Sequence, residues 1–195
     1  MRIAGICISM TLAGLMSGTG CLPPAPIEFT DSFDNGLNQW TQGADVPLDP
    51  NNPGQTVAWS IEVSQDQAHS GHQSARMTLD GSQDDGTIWL QRAFDVSTGQ
   101  AYTVSVSFWL WSESESFNTL AKAAAYAGPA APVGEANFDV SQPANQVAGW
   151  RQYSYQFESA GNQTGELFVA LGISVVWETQ VTYYIDDVQV EIRPR

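Results

Sequence analysis

Aspartates near both ends of this chain are the side chains best suited to hold a metal ion. Residues 31–40 include Asp31 and Asp34, and residues 183–190 include Asp186. Carboxylate oxygens are the hard ligands that cations such as calcium prefer. A chain that pairs its last strand near its first brings the two segments together. Asp34 and Asp186 could then share one cation.

Tryptophan is abundant, with 7 in the chain. In residues 103–111 large apolar residues alternate with polar ones, and alternate residues of a strand face opposite sides. Trp109 and Trp111 fall on the polar face, where a ring can stack on the C–H face of a sugar. Trp150 and Trp177 share this property less clearly. The alternative is that these rings cover the ends of the fold or fill a second packing layer.

Catalytic patterns are weak in this sequence. Glu113 and Glu115 are the only tight acid pair beside aromatic residues, and paired carboxylates can hydrolyse glycosides. Their spacing fits a solvated loop better. His69 and His72 are the only histidines, and both fall in a turn. The sequence therefore predicts a protein that is not an enzyme.

Hydrophobic residues recur with a period of two along most of the chain, which indicates β-strands. Clusters of Gly, Asn, Pro and Ser separate the strands. The Ala-rich residues 120–128 are interpreted as a strand rather than a helix, because strands flank them and Pro129 ends them. The pattern predicts an all-β fold, a two-sheet antiparallel β-sandwich of the jelly-roll type.

The alternation breaks within residues 183–190. Ile185 and Val188 have opposite parity, so both can face one core only if the strand contains a β-bulge. A bulge beside Asp186 and Asp187 would redirect a carboxylate, which suits a metal site.

The charge balance restricts the partners. The chain has 7 Lys plus Arg against 21 Asp plus Glu, a formal net charge of −14. This argues against nucleic acid, whose phosphates bind Lys and Arg, and against anionic membrane surfaces and anionic polysaccharides. A neutral glycan or a cation fits better. Alternatively, the acidic residues only keep a secreted protein soluble.

The N-terminus has the features of an export signal. Residues 1–20 combine Arg2 with a short apolar stretch and small residues, which predicts a signal peptide. Cys21 follows directly, which resembles the bacterial lipoprotein signal, where this cysteine is acylated. Residues 21–27 then form a Pro-rich tether, and residues 28–195 form the domain. The expected location is the outer membrane or cell surface, or the extracellular space if Cys21 is incidental.

Five motifs in order resemble the galactose-binding-like β-jelly rolls found among bacterial carbohydrate-binding modules. They lie at residues 32–40, 69–74, 91–104, 149–150 and 184–188, and the last, Tyr-Ile-Asp-Asp-Val, is the most specific. The chain departs from the family pattern at Asp34, where the family usually has Glu.

The resemblance implies a structural calcium and a sugar ligand. Calcium would be held by Asp34, by Asp186 and by carbonyl oxygens around residues 71–74, with Asp31 as a further candidate. A polysaccharide or oligosaccharide would bind on the exposed tryptophans. Two alternatives remain: a structural or adhesion lipoprotein that binds an envelope or extracellular protein, and a polysaccharide lyase or glycoside hydrolase.

Overall fold

The computed structural model describes residues 25–81, 85–113, 119–144, 146–177, 180 and 182–195. These residues form strands joined by turns, with one short 3₁₀ helix (Glu135–Asn137). The strands are β1 (Ile27–Asp31), β2 (Thr41–Asp45), β3 (Trp59–Ser64), β4 (Ser74–Leu79), β5 (Gly86–Asp95), β6 (Ala101–Ser112), β7 (Ala121–Gly128), β8 (Asp139–Pro143), β9 (Gly149–Ala160), β10 (Glu166–Val175) and β11 (Thr182–Pro194).

The strands form two antiparallel sheets that pack face to face. Sheet A has the order β3-β4-β11-β6-β9, and β1 also pairs with β11. Sheet B has the order β2-β5-β10-β7-β8. The core between them contains fully buried side chains from both sheets, such as Phe108 and Leu171. The predicted two-sheet β-sandwich is confirmed.

Strand β6 lies near the centre of sheet A and shows the predicted alternation. Phe108 and Leu110 are buried in the core, whereas Trp109 and Trp111 lie on the outer face and are half-buried. Burial of large apolar side chains on one face, at about 25 cal/mol per Å², fixes which face points inward.

The predicted bulge in β11 is present. Ile185 and Val188 are both fully buried, and the register with β6 shifts between Asp186 and Gln189. Asp187 has a positive φ of 47°, the left-handed conformation that Asp tolerates better than most residues. At the bulge β11 also changes its neighbour on one side, from β4 to β1.

The Ala-rich segment is strand β7, as predicted. Ala123 and Ala125 face the core between the sheets, and Ala124 faces outward against Trp89 and Phe138. Helix propensity favours alanine, but pairing with β10 along the whole strand outweighs that local preference.

Some sequence predictions fall outside the described residues: the signal peptide at 1–20, Cys21, and residues 22–24 of the tether. Lipidation therefore stays a prediction. No helix among the described residues is long and apolar enough to cross a bilayer.

Two core tyrosines differ in how their hydroxyls are satisfied, and this difference predicts opposite effects of the same substitution. The Tyr155 hydroxyl donates to the carbonyl of Ala123 at 2.9 Å, whereas the buried Tyr183 hydroxyl has no partner in the described structure. An unpaired buried polar group costs about 1–3 kcal/mol. We expect Tyr183→Phe to raise the free energy of unfolding by about 1 kcal/mol and Tyr155→Phe to lower it by about 1 kcal/mol. Urea denaturation measures both, and destabilisation by Tyr183→Phe would contradict the assignment.

Candidate functional site

An aromatic cluster covers part of the outer face of sheet A. The His69 ring stacks on Trp109 with centroids 4.0 Å apart and planes 15° apart, and it meets Trp150 edge-on at 5.5 Å. Trp111 contacts Tyr184 edge-on at 5.4 Å. The structure therefore brings together three of the four predicted tryptophans, because β6 and β9 are neighbours and Trp111 lies opposite Trp150.

The bulge holds the histidine of this cluster in place. Asp187 Oδ2 lies 2.6 Å from His69 Nδ1, and Asp187 Oδ1 accepts a hydrogen bond of 2.5 Å from Ser70 Oγ. The redirected carboxylate predicted from the sequence thus positions an imidazole. As a consequence, one ring face of Trp109 is covered by His69.

A polar groove of about 680 Å³ lies on the same outer face, beside the aromatic cluster. It crosses β1, β11, β6 and β9, and their register places its side chains in two rows across the sheet. The rows consist of Thr30, Gln189, Ser107 and Ser154, and of Glu28, Glu191, Ser105 and Gln156.

Most of the groove side chains are not used by the fold. Glu191 pairs with Arg193 at 2.6 Å, and no other side chain in the two rows makes a hydrogen bond or ion pair with a described residue. Hydroxyl, amide and carboxylate groups therefore remain available to an external partner.

The polar groove and the aromatic cluster are contiguous. Ser107 and Trp109 lie two residues apart on the same face of β6, a separation of about 6.6 Å along a strand. A ligand in the polar groove would therefore reach the edge of the aromatic cluster.

The carboxylates predicted to bind calcium are engaged by N–H donors. Asp186 is fully buried, and its Oδ2 accepts from the backbone N–H groups of His69 and Ser70 at 2.8 and 3.0 Å. Burial raises the pKa of Asp186, and the three backbone donors around it oppose that effect. Asp34 Oδ1 accepts from the N–H of His72 at 2.8 Å, which lowers the pKa of Asp34.

The third predicted ligand, Asp31, anchors its own loop. Its Oδ1 accepts from the backbone N–H of Phe33 and its Oδ2 from Trp40 Nε1, both at 2.8 Å. Trp40 is itself buried against the core. Asp31 therefore holds the turn after β1 in place.

The carbonyl oxygens of this region are also engaged by a donor. Gln73 Nε2 donates to the carbonyls of Phe33 and Asp34 at 3.0 and 2.8 Å. Gly71 has a φ of 60°, and a Cβ on it would collide with the Asp34 carboxylate, so the turn packs directly on that side chain. N–H groups face Asp34 Oδ1 and Asp186 Oδ2, and such donors repel a cation.

A metal therefore does not fit Asp31, Asp34 and Asp186 as they are arranged. Among the described parts of the chain, no group of three or more His, Cys, Asp or Glu side chains could hold a metal ion. The structural calcium implied by the resemblance is therefore not supported by the donors around these three carboxylates.

The remaining candidates lie elsewhere. Trp177 follows β10 of sheet B and is 54% exposed, apart from the aromatic cluster. Glu113 lies directly after β6, and its predicted partner Glu115 falls outside the described residues.

The outer face of sheet B is filled by its own chain. Trp89 and Phe138 are 3% and 8% exposed and pack together at 5.2 Å. Glu135, in the 3₁₀ helix, accepts hydrogen bonds from the hydroxyls of Thr87 and Ser174. The segment between β7 and β8 therefore covers this face, and the open outer surface belongs to sheet A.

Sequence reasoning identified the tryptophans of β6 but not the polar groove. The sequence carried a signal for the groove: Ser105 and Ser107 alternate with core residues in β6, and Ser154 and Gln156 do so in β9. The contribution of β1 was not visible, because nothing local in the sequence shows that β1 pairs with β11.

We predict that amide donors, rather than calcium, hold the loops around Asp34 and Asp186. Gln73→Ala removes two hydrogen bonds to backbone carbonyls and should lower the free energy of unfolding by about 1–3 kcal/mol. Thermal unfolding of the unmodified protein should give the same Tm in EDTA and in excess calcium chloride. A Tm that falls in EDTA and recovers with calcium would show that a metal is bound.

Comparison with solved structures finds the same architecture in carbohydrate-binding modules. The CBM22-2 xylan-binding domain from Paenibacillus barcinonensis Xyn10C matches with a TM-score of 0.51 and 14% identity, over 83% of this chain and 97% of that one. The CBM22-1 domain of the same protein matches with a TM-score of 0.50 and 17% identity, over 86% and 94%. A structure concerning the promiscuous specificity of carbohydrate-binding modules from the β-sandwich superfamily gives 0.51 and 15%, over 81% and 59%.

No protein-family model matches the chain, and no curated protein matches it in sequence. At these identities the structural matches establish the fold. The chain has the β-sandwich fold of carbohydrate-binding modules.

Proposed function

We propose that this protein is a non-catalytic module that binds a glycan without acidic groups on the outer face of sheet A. The observation that carries the proposal is the polar groove, whose side chains are mostly unused by the fold and which adjoins the aromatic cluster. Ligand sites typically have volumes of about 300–1,000 Å³ and combine apolar surface with a few polar groups.

The size and course of the polar groove support a chain-like ligand. It crosses four strands from β1 to β9, a width of about 14 Å at the usual spacing between strands. Among the strands that the structure describes, neither β1 nor β9 has a further neighbour in sheet A. Both ends of the groove therefore reach an edge of the sheet. A groove that is open at both ends can bind an internal stretch of a polysaccharide, whereas a closed end would favour the terminus of the chain.

The chemistry of the lining supports a sugar. Serine hydroxyls and glutamine amides can each donate and accept hydrogen bonds, as sugar hydroxyls require. The lining contains Glu28 and Glu191 and neither Lys nor Arg. Carboxylates on the sugar would be repelled, so uronic acids and sulfated glycans are disfavoured.

The aromatic cluster supplies the apolar part of the site. Trp109, Trp111 and Trp150 are half-buried on the outer face, so each keeps some ring surface exposed. Since His69 covers one face of Trp109, we assign the stacking surface to the remaining exposed parts of Trp109 and Trp150. The fold shared with domains described as xylan-binding supports the same function.

We also propose that the domain is displayed from a membrane through Cys21. β1 begins at Ile27, opposite Ile192, whereas Trp111 lies opposite Tyr184. The eight residues of β11 between these positions correspond to about 25 Å. A tether that enters at Ile27 would leave the aromatic cluster at the opposite end, away from the bilayer.

If Cys21 is acylated, its replacement should change where the protein is found. Acyl chains contribute about 0.8 kcal/mol for each CH₂ buried in a bilayer. We expect the protein expressed in a bacterial host to fractionate with membranes and Cys21→Ala to be soluble after export. Cys7→Ala is the matched control, because Cys7 lies inside the predicted signal peptide. Equal soluble fractions for the unmodified protein and Cys21→Ala would exclude the anchor.

Binding to polysaccharides without acidic groups tests the glycan proposal. We expect pull-down by at least one of xylan, galactan, cellulose and chitin. Trp109→Ala should weaken binding at least tenfold, since aromatic anchors at interfaces commonly contribute 2 kcal/mol or more. Trp177→Ala, the same truncation at an exposed position outside the site, should have no effect.

A second variant separates loss of binding from loss of folding. Ser105→Trp fills the polar groove from an outward-facing position and leaves the core unchanged. Its Tm should match that of the unmodified protein while binding is lost. Retention by none of the polysaccharides, or full binding by Ser105→Trp, would refute the site.

A further inference from the structure

We propose that the polar groove selects glycans whose sugar units carry free amino groups, such as β-1,4-linked glucosamine. This inference rests on the proposed function and specifies the class of sugar. It concerns the row formed by Glu28, Glu191, Ser105 and Gln156 on the floor of the groove.

Two carboxylates face each other in this row. Glu28 lies directly opposite Glu191 in the antiparallel pair of β1 and β11. Like charges directly opposite each other destabilise a sheet, so this pair carries a cost that a cationic group between the carboxylates would relieve.

The carboxylates are only partly compensated by the protein. Arg193 pairs with Glu191, but its side chain is 63% exposed and does not line the groove. Glu28 is exposed and forms no hydrogen bond or ion pair with a described residue. Glu28 also interacts electrostatically with Arg193, so one guanidinium serves two carboxylates and the row keeps one net negative charge.

The geometry favours an ammonium group on a sugar over a bare metal ion. Calcium needs six to eight converging oxygens, and the described residues provide no cluster of three metal-binding side chains. An ammonium group has three N–H donors, enough to bridge two carboxylates and leave one donor for a neighbour. The serine and glutamine groups in the same rows suit the hydroxyls of the same sugar.

The surroundings extend the negative potential beyond this row. A hollow of about 250 Å³ shares Thr30 and Gln189 with the polar groove, and its lining adds Asp31 and Asp187 but neither Lys nor Arg. The chain as a whole has a net charge of −14, which attracts a cationic glycan and speeds its association.

Paired oligosaccharides that differ only in acetylation test this inference. The affinities of the β-1,4-linked glucosamine hexamer and its fully N-acetylated counterpart are measured by calorimetry at a pH where the amine is protonated. We expect the glucosamine hexamer to bind at least tenfold more tightly, because hydrogen bonds between charged partners are about twice as strong as neutral ones.

Variants that neutralise one carboxylate test whether the preference for the glucosamine hexamer arises in the groove. Glu28→Gln should reduce the preference to about threefold or less and leave affinity for the N-acetylated hexamer within about twofold. Glu191→Gln serves as a second variant if Glu28→Gln lowers the Tm. Asp95→Asn removes one exposed charge at the end of β5 in sheet B and should leave the preference intact.

The outcomes distinguish the two proposals. Equal affinity for the two hexamers, or an Asp95→Asn variant that loses the preference as Glu28→Gln does, overturns the selectivity for amino sugars. In either case binding to an uncharged polysaccharide that Ser105→Trp abolishes keeps the glycan site. Absence of binding to both hexamers and to every uncharged polysaccharide overturns both.

Discussion

The bulge in β11 shapes both the core and the outer face of sheet A. It lets Ile185 and Val188 both enter the core despite their parity. It also points two consecutive carboxylates in different directions. Asp186 is buried and accepts hydrogen bonds from backbone N–H groups, and Asp187 contacts His69. A strand without the extra residue would bury only one of the two apolar side chains.

The carboxylate network ties three distant parts of the chain together. The loop between β3 and β4 donates N–H groups to Asp34 near the start of the domain and to Asp186 near its end. Asp186 is fully buried, and a buried carboxylate is tolerated only when its hydrogen-bonding capacity is used, as backbone amides use it here. The same loop carries His69 onto the aromatic cluster, so the network that closes the sandwich also shapes the proposed site.

The two outer faces of the sandwich differ in whether the chain itself covers them. Sheet B is covered by the segment between β7 and β8, which buries Trp89 and Phe138 and satisfies Thr87 and Ser174 through Glu135. Sheet A has an open polar surface bordered by aromatic rings. Outward-facing aromatic residues therefore have two roles in this protein, and their degree of burial distinguishes the roles. Trp89 is buried against its own chain, whereas Trp109 and Trp150 are only half-buried and border an open groove.

Features that depend on local periodicity could be predicted from the amino-acid sequence. Alternation in β6 placed Trp109 and Trp111 outside, and the parity of Ile185 and Val188 required a bulge, because side chains on a strand have only two faces to choose from. The neighbours of these residues could not be predicted in the same way. The pairing of β1 with β11, the placement of His69 on Trp109 and the donors that surround Asp34 and Asp186 join residues far apart in the chain. No local pattern encodes such contacts, since they arise from how the two sheets close around one core.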